Sequence, residues 1–187
     1  MRTGEVYSRH RMADGRVITF RSLKQGDLEM MMGFANSLVA ERTTNPDIGV
    51  LIDRRVTKKS ETEFLAKMLK GIRNGSVVSV AAVCDGTLAG HTAVSRRTQR
   101  DVRHTGVLGI AVHKDFRDRG VGQRMLRLVL DRAEKEGIRL VELQVFGNNA
   151  RAIHLYEKAG FKRMGVLPKG IFRNGNFIDD LRMYRQA

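Results

Sequence analysis

Apolar and polar residues follow two repeating patterns along the chain, one of period two and one of helical period. Val107 to Val112 contains no polar side chain, which is typical of a strand buried on both faces, here about residues 105–112. In a second predicted strand, residues 140–146, apolar and polar residues alternate, and Glu142 and Gln144 lie on its polar side. Apolar residues recur at helical spacing between the two strands. This order predicts a parallel crossover connection.

Turn dipeptides and helical stripes divide the rest of the chain. Asp14-Gly15, Asp85-Gly86 and Asn174-Gly175 are typical of hairpin turns. The other predicted elements are strands 5–10, 16–21, 77–84, 87–95, 161–167 and 176–184, and helices 25–40, 58–73, 120–136 and 150–159. We expect Ser60 and Glu63 to form the capping box of the second helix. Connections 41–57 and 168–175 have no clear period. The pattern predicts one mixed α/β domain, residues 1–187, around a mostly antiparallel sheet.

The composition adds a strong positive charge to this picture. The 187 residues include 34 lysines and arginines against 20 acidic residues, a formal net charge of +14. These basic residues are spread over the whole length, and few aromatic residues lie among them. A basic surface that helps to hold an anionic cofactor is therefore favoured over a dedicated nucleic-acid face. Contact with nucleic acid or the ribosome stays open as a secondary property.

Several classes of protein are disfavoured. The single cysteine, Cys84, excludes an intrachain disulfide and a cysteine-based zinc site, and the histidines show no metal-ligand spacing. The apolar runs are too short to span a membrane, and the first ten residues lack the hydrophobic centre of a signal peptide. We therefore expect a cytoplasmic protein without a metal and without membrane contact.

A loop with two glycines, Arg117-Asp118-Arg119-Gly120-Val121-Gly122, joins the apolar strand to the helix that follows. Such a junction gathers unpaired backbone N–H groups and the positive end of a helix dipole, which suits a phosphate. Glycine lets ligand oxygens approach the amides, and the two arginines add charge-assisted donors. By itself the loop fits a plain turn equally well.

Two segments carry a resemblance to a known family. The spacing Arg117-x-x-Gly120-x-Gly122 resembles the acetyl-CoA pyrophosphate loop of the GNAT (GCN5-related) N-acetyltransferase superfamily. Residues 149–161, NARAIHLYEKAGF, are similar to the N-x-x-A-x-x-x-Y-x-x-x-G-F segment of that family. The resemblance covers about residues 16–184. It implies the GNAT acyl-CoA N-acyltransferase fold, in which parallel strands near 105–112 and 140–146 splay apart around the pantetheine arm of the cofactor.

The resemblance also implies roles for single residues. The implied acetyl-CoA-binding set is Ile110, Ala111, Val112, Arg117, Asp118, Arg119, Gly120, Val121, Gly122, Gln123, Asn149 and Tyr156. A backbone N–H near Ile110 or Ala111 would bind the acetyl oxygen. Asn149 is also a preferred helix N-cap residue. Tyr156 matches the tyrosine that protonates the departing CoA thiolate, although it would otherwise be only a half-buried helix residue.

The proton acceptor is the least determined role. Gln144 stands where the ribosomal-protein N-terminal acetyltransferases of the family have a glutamate, and an amide is a poor proton acceptor. We therefore predict Glu142, one pleat earlier, as the catalytic base. The alternatives are Glu41, Asp179, Asp180 and His113.

The function implied is an acetyl-CoA-dependent N-acetyltransferase. The acceptor would be a primary amine of a small molecule, an amino acid or a protein N-terminus, and it would attack the thioester directly. Polyamines are disfavoured by the net positive charge, and a homodimer is common in the family. Two other classes stay open, a non-catalytic acyl-CoA-binding module and a ribosome- or RNA-associated basic protein.

Overall fold

The computed structural model describes residues 2–45 and 47–187, so Pro46 in the first long connection lies outside the described residues. The strands are β1 (Val6–Arg11), β2 (Val17–Arg21), β3 (Val77–Cys84), β4 (Thr87–Arg96), β5 (Thr105–Val112), β6 (Leu140–Phe146), β7 (Lys162–Arg173) and β8 (Asn176–Gln186). The helices are α1 (Leu28–Glu41), α2 (Lys58–Arg73), α3 (Val121–Lys135) and α4 (Ala150–Lys158). No helix in residues 2–45 and 47–187 is long and apolar enough to cross a membrane.

The eight strands of the described residues form one sheet in the order β1-β2-β3-β4-β5-β6-β8-β7. Strands β5 and β6 are parallel, and the other neighbouring pairs in the described residues are antiparallel. The predicted mixed, mostly antiparallel sheet is therefore confirmed. The turn dipeptides Asp85-Gly86 and Asn174-Gly175 have φ angles of 48° and 75°, and of 50° and 78°. This left-handed geometry is that of two-residue hairpin turns.

The sheet divides the core into two layers. Helix α3 packs one face, where Met125 and Val129 join a cluster with the buried residues of β3 and β6. Helices α1 and α2 cover the other face, where Met31 and Leu69 join a second cluster. The apolar stripes of these helices therefore lie against the sheet, as their spacing predicts.

One predicted loop is wrong. Residues 168–173 are not a connection, because β7 continues to Arg173 and pairs with β8 up to Arg173↔Asn176. The register shifts between Leu167 and Ile171, and Lys169 there has a φ of 55°. Pro168 thus belongs to an irregularity within an edge strand, where proline is tolerated, instead of ending the strand.

The parallel strands separate early. Their pairing consists of Thr105↔Leu140, Gly106↔Val141 and Val107↔Glu142. Beyond Val107, β5 stays paired with β4 up to Val112, and β6 stays paired with β8 up to Phe146. Each strand therefore turns an unpaired edge towards the gap between them, as the resemblance implies.

Candidate active site

A cavity of about 1310 Å³ opens where β5 and β6 separate. We call one end the loop half, which is lined by Arg117, Asp118, Gly120, Val121, Gly122, Gln123, Asn149, Arg151, Tyr156 and Lys158. We call the other end the apolar half, which is lined by Met31, Phe34, Ala35, Leu38, Ile52, Val56, Glu61, Phe64, Met68, Leu88, His91 and Ala93. Ile110, Ala111 and Val112 of β5 line the cavity as well.

Backbone N–H groups line the loop half. From Asp118 to Gln123, none of the six donates to another group in the part of the chain that the structure describes. The first bond within α3 runs from the N–H of Arg124 to the carbonyl of Gly120, at 3.1 Å. Gly120 has a φ of 74°, a conformation that L side chains rarely adopt. The local geometry therefore leaves a group of donors at a helix N-terminus, which is suited to an anion.

The Arg117 side chain is anchored within the protein. Its guanidinium makes a two-point ion pair with Glu41 at the end of α1, with Nη2 2.6 Å from Oε2, and its Nε donates to the Val112 carbonyl at 3.0 Å. Burial raises the pKa of Glu41, but the hydrogen bonds from Arg117 and Asn45 outweigh it and leave that pKa below its ordinary value. Arg117 thus fixes the loop to α1, and Glu41 is held as a charged partner.

Arg119 is the one member of the predicted cofactor-binding set that does not line the cavity. Its Nη1 lies 2.6 Å from Oδ2 of Asp14, in the β1–β2 turn. This ion pair holds its guanidinium outside the cavity, so only the other members of the set come together.

Asn149, at the start of α4, and Tyr156, within α4, both line the loop half. Asn149 is the N-cap of the helix, because its Oδ1 accepts from the Ala152 N–H at 3.0 Å. Its side-chain N–H groups donate to no other described residue. Tyr156 is 7% exposed, and its ring meets Phe161 edge-on at 5.8 Å. Burial raises the pKa of Tyr156 to about 12, so its hydroxyl keeps its proton at neutral pH.

The carboxylates predicted as proton acceptors lie outside the cavity lining. Glu142 accepts from Nε of Arg97 at 2.9 Å. Asp180 is buried and accepts from Nε2 of Gln144 at 2.8 Å. Asp179 accepts from a backbone N–H at 2.9 Å, and His113 likewise accepts one within its own loop. Each side chain is held by a neighbour that the sequence pattern does not reveal.

Two titratable residues that the sequence reasoning did not select line the apolar half instead. Glu61 is 5% exposed and lies at the start of the buried stripe of α2, ahead of Leu65 and Met68. Among the described residues its carboxylate has no hydrogen-bond or ion-pair partner, and burial raises its pKa. An acidic residue at a stripe position is a signal that was already present in the sequence.

His91 is the second of these residues. It lies on β4 directly opposite Ala111 of β5, and its Nε2 is 3.0 Å from Oγ of Ser79. Burial lowers the pKa of His91 to about 4, although the charge of Asp27 acts in the other direction. The imidazole is therefore neutral at pH 7.

Comparisons with known proteins agree with this geometry. Residues 50–161 match the family model of the acetyltransferase (GNAT) family. The chain is 30% identical over 110 residues to the L-amino acid N-acetyltransferase AaaT of Escherichia coli (strain K12), a match that covers 58% of this chain and 68% of that protein.

Solved structures show the same fold. The acetyltransferase of GNAT family from Streptococcus pneumoniae superposes with a TM-score of 0.78 at 26% identity, covering 91% of this chain and 99% of that one. A GNAT superfamily phosphinothricin acetyltransferase from Sinorhizobium meliloti, solved in complex with AcCoA, has a TM-score of 0.76 at 21% identity and covers 90% of this chain and 88% of that one.

Proposed function

The chain belongs to the GNAT acetyltransferase family, and from that premise we propose that it transfers the acetyl group of acetyl-CoA to a primary amine. The amine of a small molecule, an amino acid or a protein N-terminus attacks directly, and residues 1–187 act as one domain. The proposal depends above all on the unpaired edge of β5, which faces the cavity beyond Val107.

The residues around the cavity fit an acyl-CoA. The free edge of β5 offers backbone donors and acceptors to an extended arm that contains amides, in the way an added strand pairs with a sheet edge. The six N–H groups of the loop suit a pyrophosphate. Arg151 and Lys158 add positive charge, and Arg151 lies 3.2 Å from Asp118 in an exposed pair with which a phosphate could compete. When bound, acetyl-CoA supplies a thioester, an acyl group activated for transfer to nitrogen.

Each polar group around the cavity has a distinct proposed task. Tyr156 holds a proton at neutral pH and donates it to the departing sulfur. A backbone N–H near Ile110 or Ala111 donates to the acetyl oxygen. The side-chain amide of Asn149 can donate to the cofactor while its oxygen caps α4. The amine must lose a proton to attack, and Glu142 remains the proposed acceptor of that proton, reached through water because Arg97 holds it outside the cavity lining.

The proposal is tested by CoA binding and CoA release. Isothermal titration calorimetry should show a Kd for CoA that rises about tenfold between roughly 0.05 and 0.5 M salt, because screening weakens contacts with its phosphates. Pantetheine, which lacks the phosphates, is the matched ligand and should show little salt dependence. A thiol reagent can follow CoA release with little background, since Cys84 is only 1% exposed. No CoA binding at low salt would refute the proposal.

The loop itself can be tested with a pair of glycines. Gly120 and Gly137 lie near opposite ends of α3, have φ angles of 74° and 80°, and have nothing within 4 Å of an added Cβ. Alanine at either position costs about 1–2 kcal/mol of backbone strain. We expect Gly120→Ala and Gly137→Ala to lower the Tm similarly, and only Gly120→Ala to weaken CoA binding, by about tenfold. Equal CoA affinities in the two variants would remove the loop from the proposed site.

A further inference from the structure

The apolar half of the cavity combines a hydrophobic wall with one buried carboxylate, and this combination specifies an acceptor. We propose that the acceptor is a primary amine on an apolar body, with no carboxylate beside the amine, and that Glu61 binds its ammonium group. The inference rests on the proposed function, because it names the substrate class of the same site.

The wall of the apolar half exposes hydrophobic surface to the cavity. Phe64 of α2 is 46% exposed and Ile52 of the connection is 38% exposed, although both line the cavity. Met31 and Met68 line it from the two helices, and their flexible thioethers adapt to different shapes. An apolar acceptor would cover this surface and remove it from water, at about 25 cal/mol per Å². The wall therefore favours a hydrophobic substituent on the amine.

Glu61 provides the polar anchor within that wall. It is buried on the stripe that α2 turns towards the sheet, and none of the described residues pairs with its carboxylate. None of the described residues has a fully buried side-chain oxygen without a partner, so the Glu61 carboxylate must reach the cavity, where a bound ammonium group supplies a charged partner. The position of Glu61 in the first turn of α2 also lets the helix dipole stabilise its negative charge.

The distribution of charge around the cavity disfavours a carboxylate on the acceptor. Among the described lining residues the cations are Arg117, Arg151 and Lys158, and all three belong to the loop half. Arg117 is ion-paired with Glu41, and Arg151 lies 3.2 Å from Asp118. His91 in the apolar half is neutral at pH 7. Arg42 donates to the Ile52 carbonyl but does not line the cavity. A free amino acid would therefore place its carboxylate near Glu61 with no lining cation of the apolar half to offset the repulsion.

A trio of acceptors with the same branched side chain tests the substrate class. The acceptors are 3-methylbutylamine, L-leucinamide and L-leucine, and only leucine has a carboxylate beside its amine. We expect kcat/KM for the first two to exceed that for leucine by at least about tenfold, since one charge repulsion of this kind is worth about 1.4 kcal/mol or more. A preference for leucine would overturn the inference.

A pair of substitutions on α2 tests the role of Glu61. Glu61→Gln keeps the shape of the side chain but removes its charge, and it should raise the KM for 3-methylbutylamine about tenfold or more, with the Kd of CoA nearly unchanged. Glu61→Gln should also lower the ratio of kcat/KM for leucinamide to kcat/KM for leucine. Loss of packing alone would not change that ratio. Glu63→Gln is the matched control, because Glu63 is exposed two residues away. Equal KM values for Glu61→Gln and wild type would overturn the inference.

Equilibrium binding separates this inference from the proposed function. If CoA binds but no amine releases CoA from acetyl-CoA, the proposed transferase function fails. Calorimetry with leucinamide and leucine on CoA-saturated protein then decides the inference separately. Tighter binding of leucinamide that Glu61→Gln weakens would support it, whereas equal binding, no binding or tighter binding of leucine would overturn it.

Discussion

Tyr156→Phe is expected to lower kcat by about 100- to 1000-fold while the Kd of CoA changes by less than about twofold, because the variant removes a general acid and little packing. The ring of Tyr156 is buried in α4 and contacts Phe161, and a phenylalanine can keep both interactions. Its hydroxyl has no hydrogen-bond partner among the described residues, so its removal leaves no protein group unpaired. Steady-state kinetics and calorimetry with CoA would measure the two quantities.

Tyr184→Phe is the control for that experiment. Tyr184 lies on β8, opposite Glu142 of β6, and does not line the cavity. Its replacement should leave kcat unchanged. A parallel loss of kcat and CoA affinity in Tyr156→Phe would indicate that Tyr156 acts through packing, and an unchanged kcat would remove it from the reaction.

Features of the fold that depend on neighbouring residues could be predicted from the sequence. The hairpin turns at Asp85-Gly86 and Asn174-Gly175 need left-handed residues that these dipeptides supply. The exact start of α2 was harder to predict. Thr57 caps α2 through Ser60, and the predicted Ser60–Glu63 capping box is not the one observed. Both arrangements satisfy the same spacing rule, and only the path of the chain before the helix selects one.

The candidate site also has a part that could be predicted from the sequence and a part that could not. The loop at Gly120 follows from the order strand, loop, helix, and the free edge of β5 is what the resemblance to the GNAT family implies, so the backbone part could be predicted. The partners of the arginine and carboxylate side chains could not be predicted. Arg117 pairs with Glu41 over 76 positions in the chain, and Arg119 pairs with Asp14 over 105. Such partners are decided by how distant segments pack, and they change which charges remain available to a ligand.

One buried ion pair supports the helix that forms much of the apolar half. Arg21 at the end of β2 and Asp27 just before α1 are 8% and 1% exposed, and two hydrogen bonds of 2.7 Å join them. Asp27 also accepts from the Lys24 N–H at 2.8 Å, and Arg21 donates to the Ser22 carbonyl at 2.9 Å. The pair therefore fixes the point at which α1 leaves the sheet. Loss of either side chain would leave the other charge buried without its partner.

Asp27→Ala is therefore expected to reduce the free energy of unfolding by about 3–5 kcal/mol, as measured by urea denaturation. Glu29→Ala should cost less than about 1 kcal/mol, because Glu29 pairs with Lys58 in solvent. The double variant Arg21→Met, Asp27→Leu should recover most of the loss, since it leaves no unpaired charge. A cost for Asp27→Ala as small as that for Glu29→Ala would show that the buried pair does not anchor α1, and the walls of the apolar half would then depend on hydrophobic packing alone.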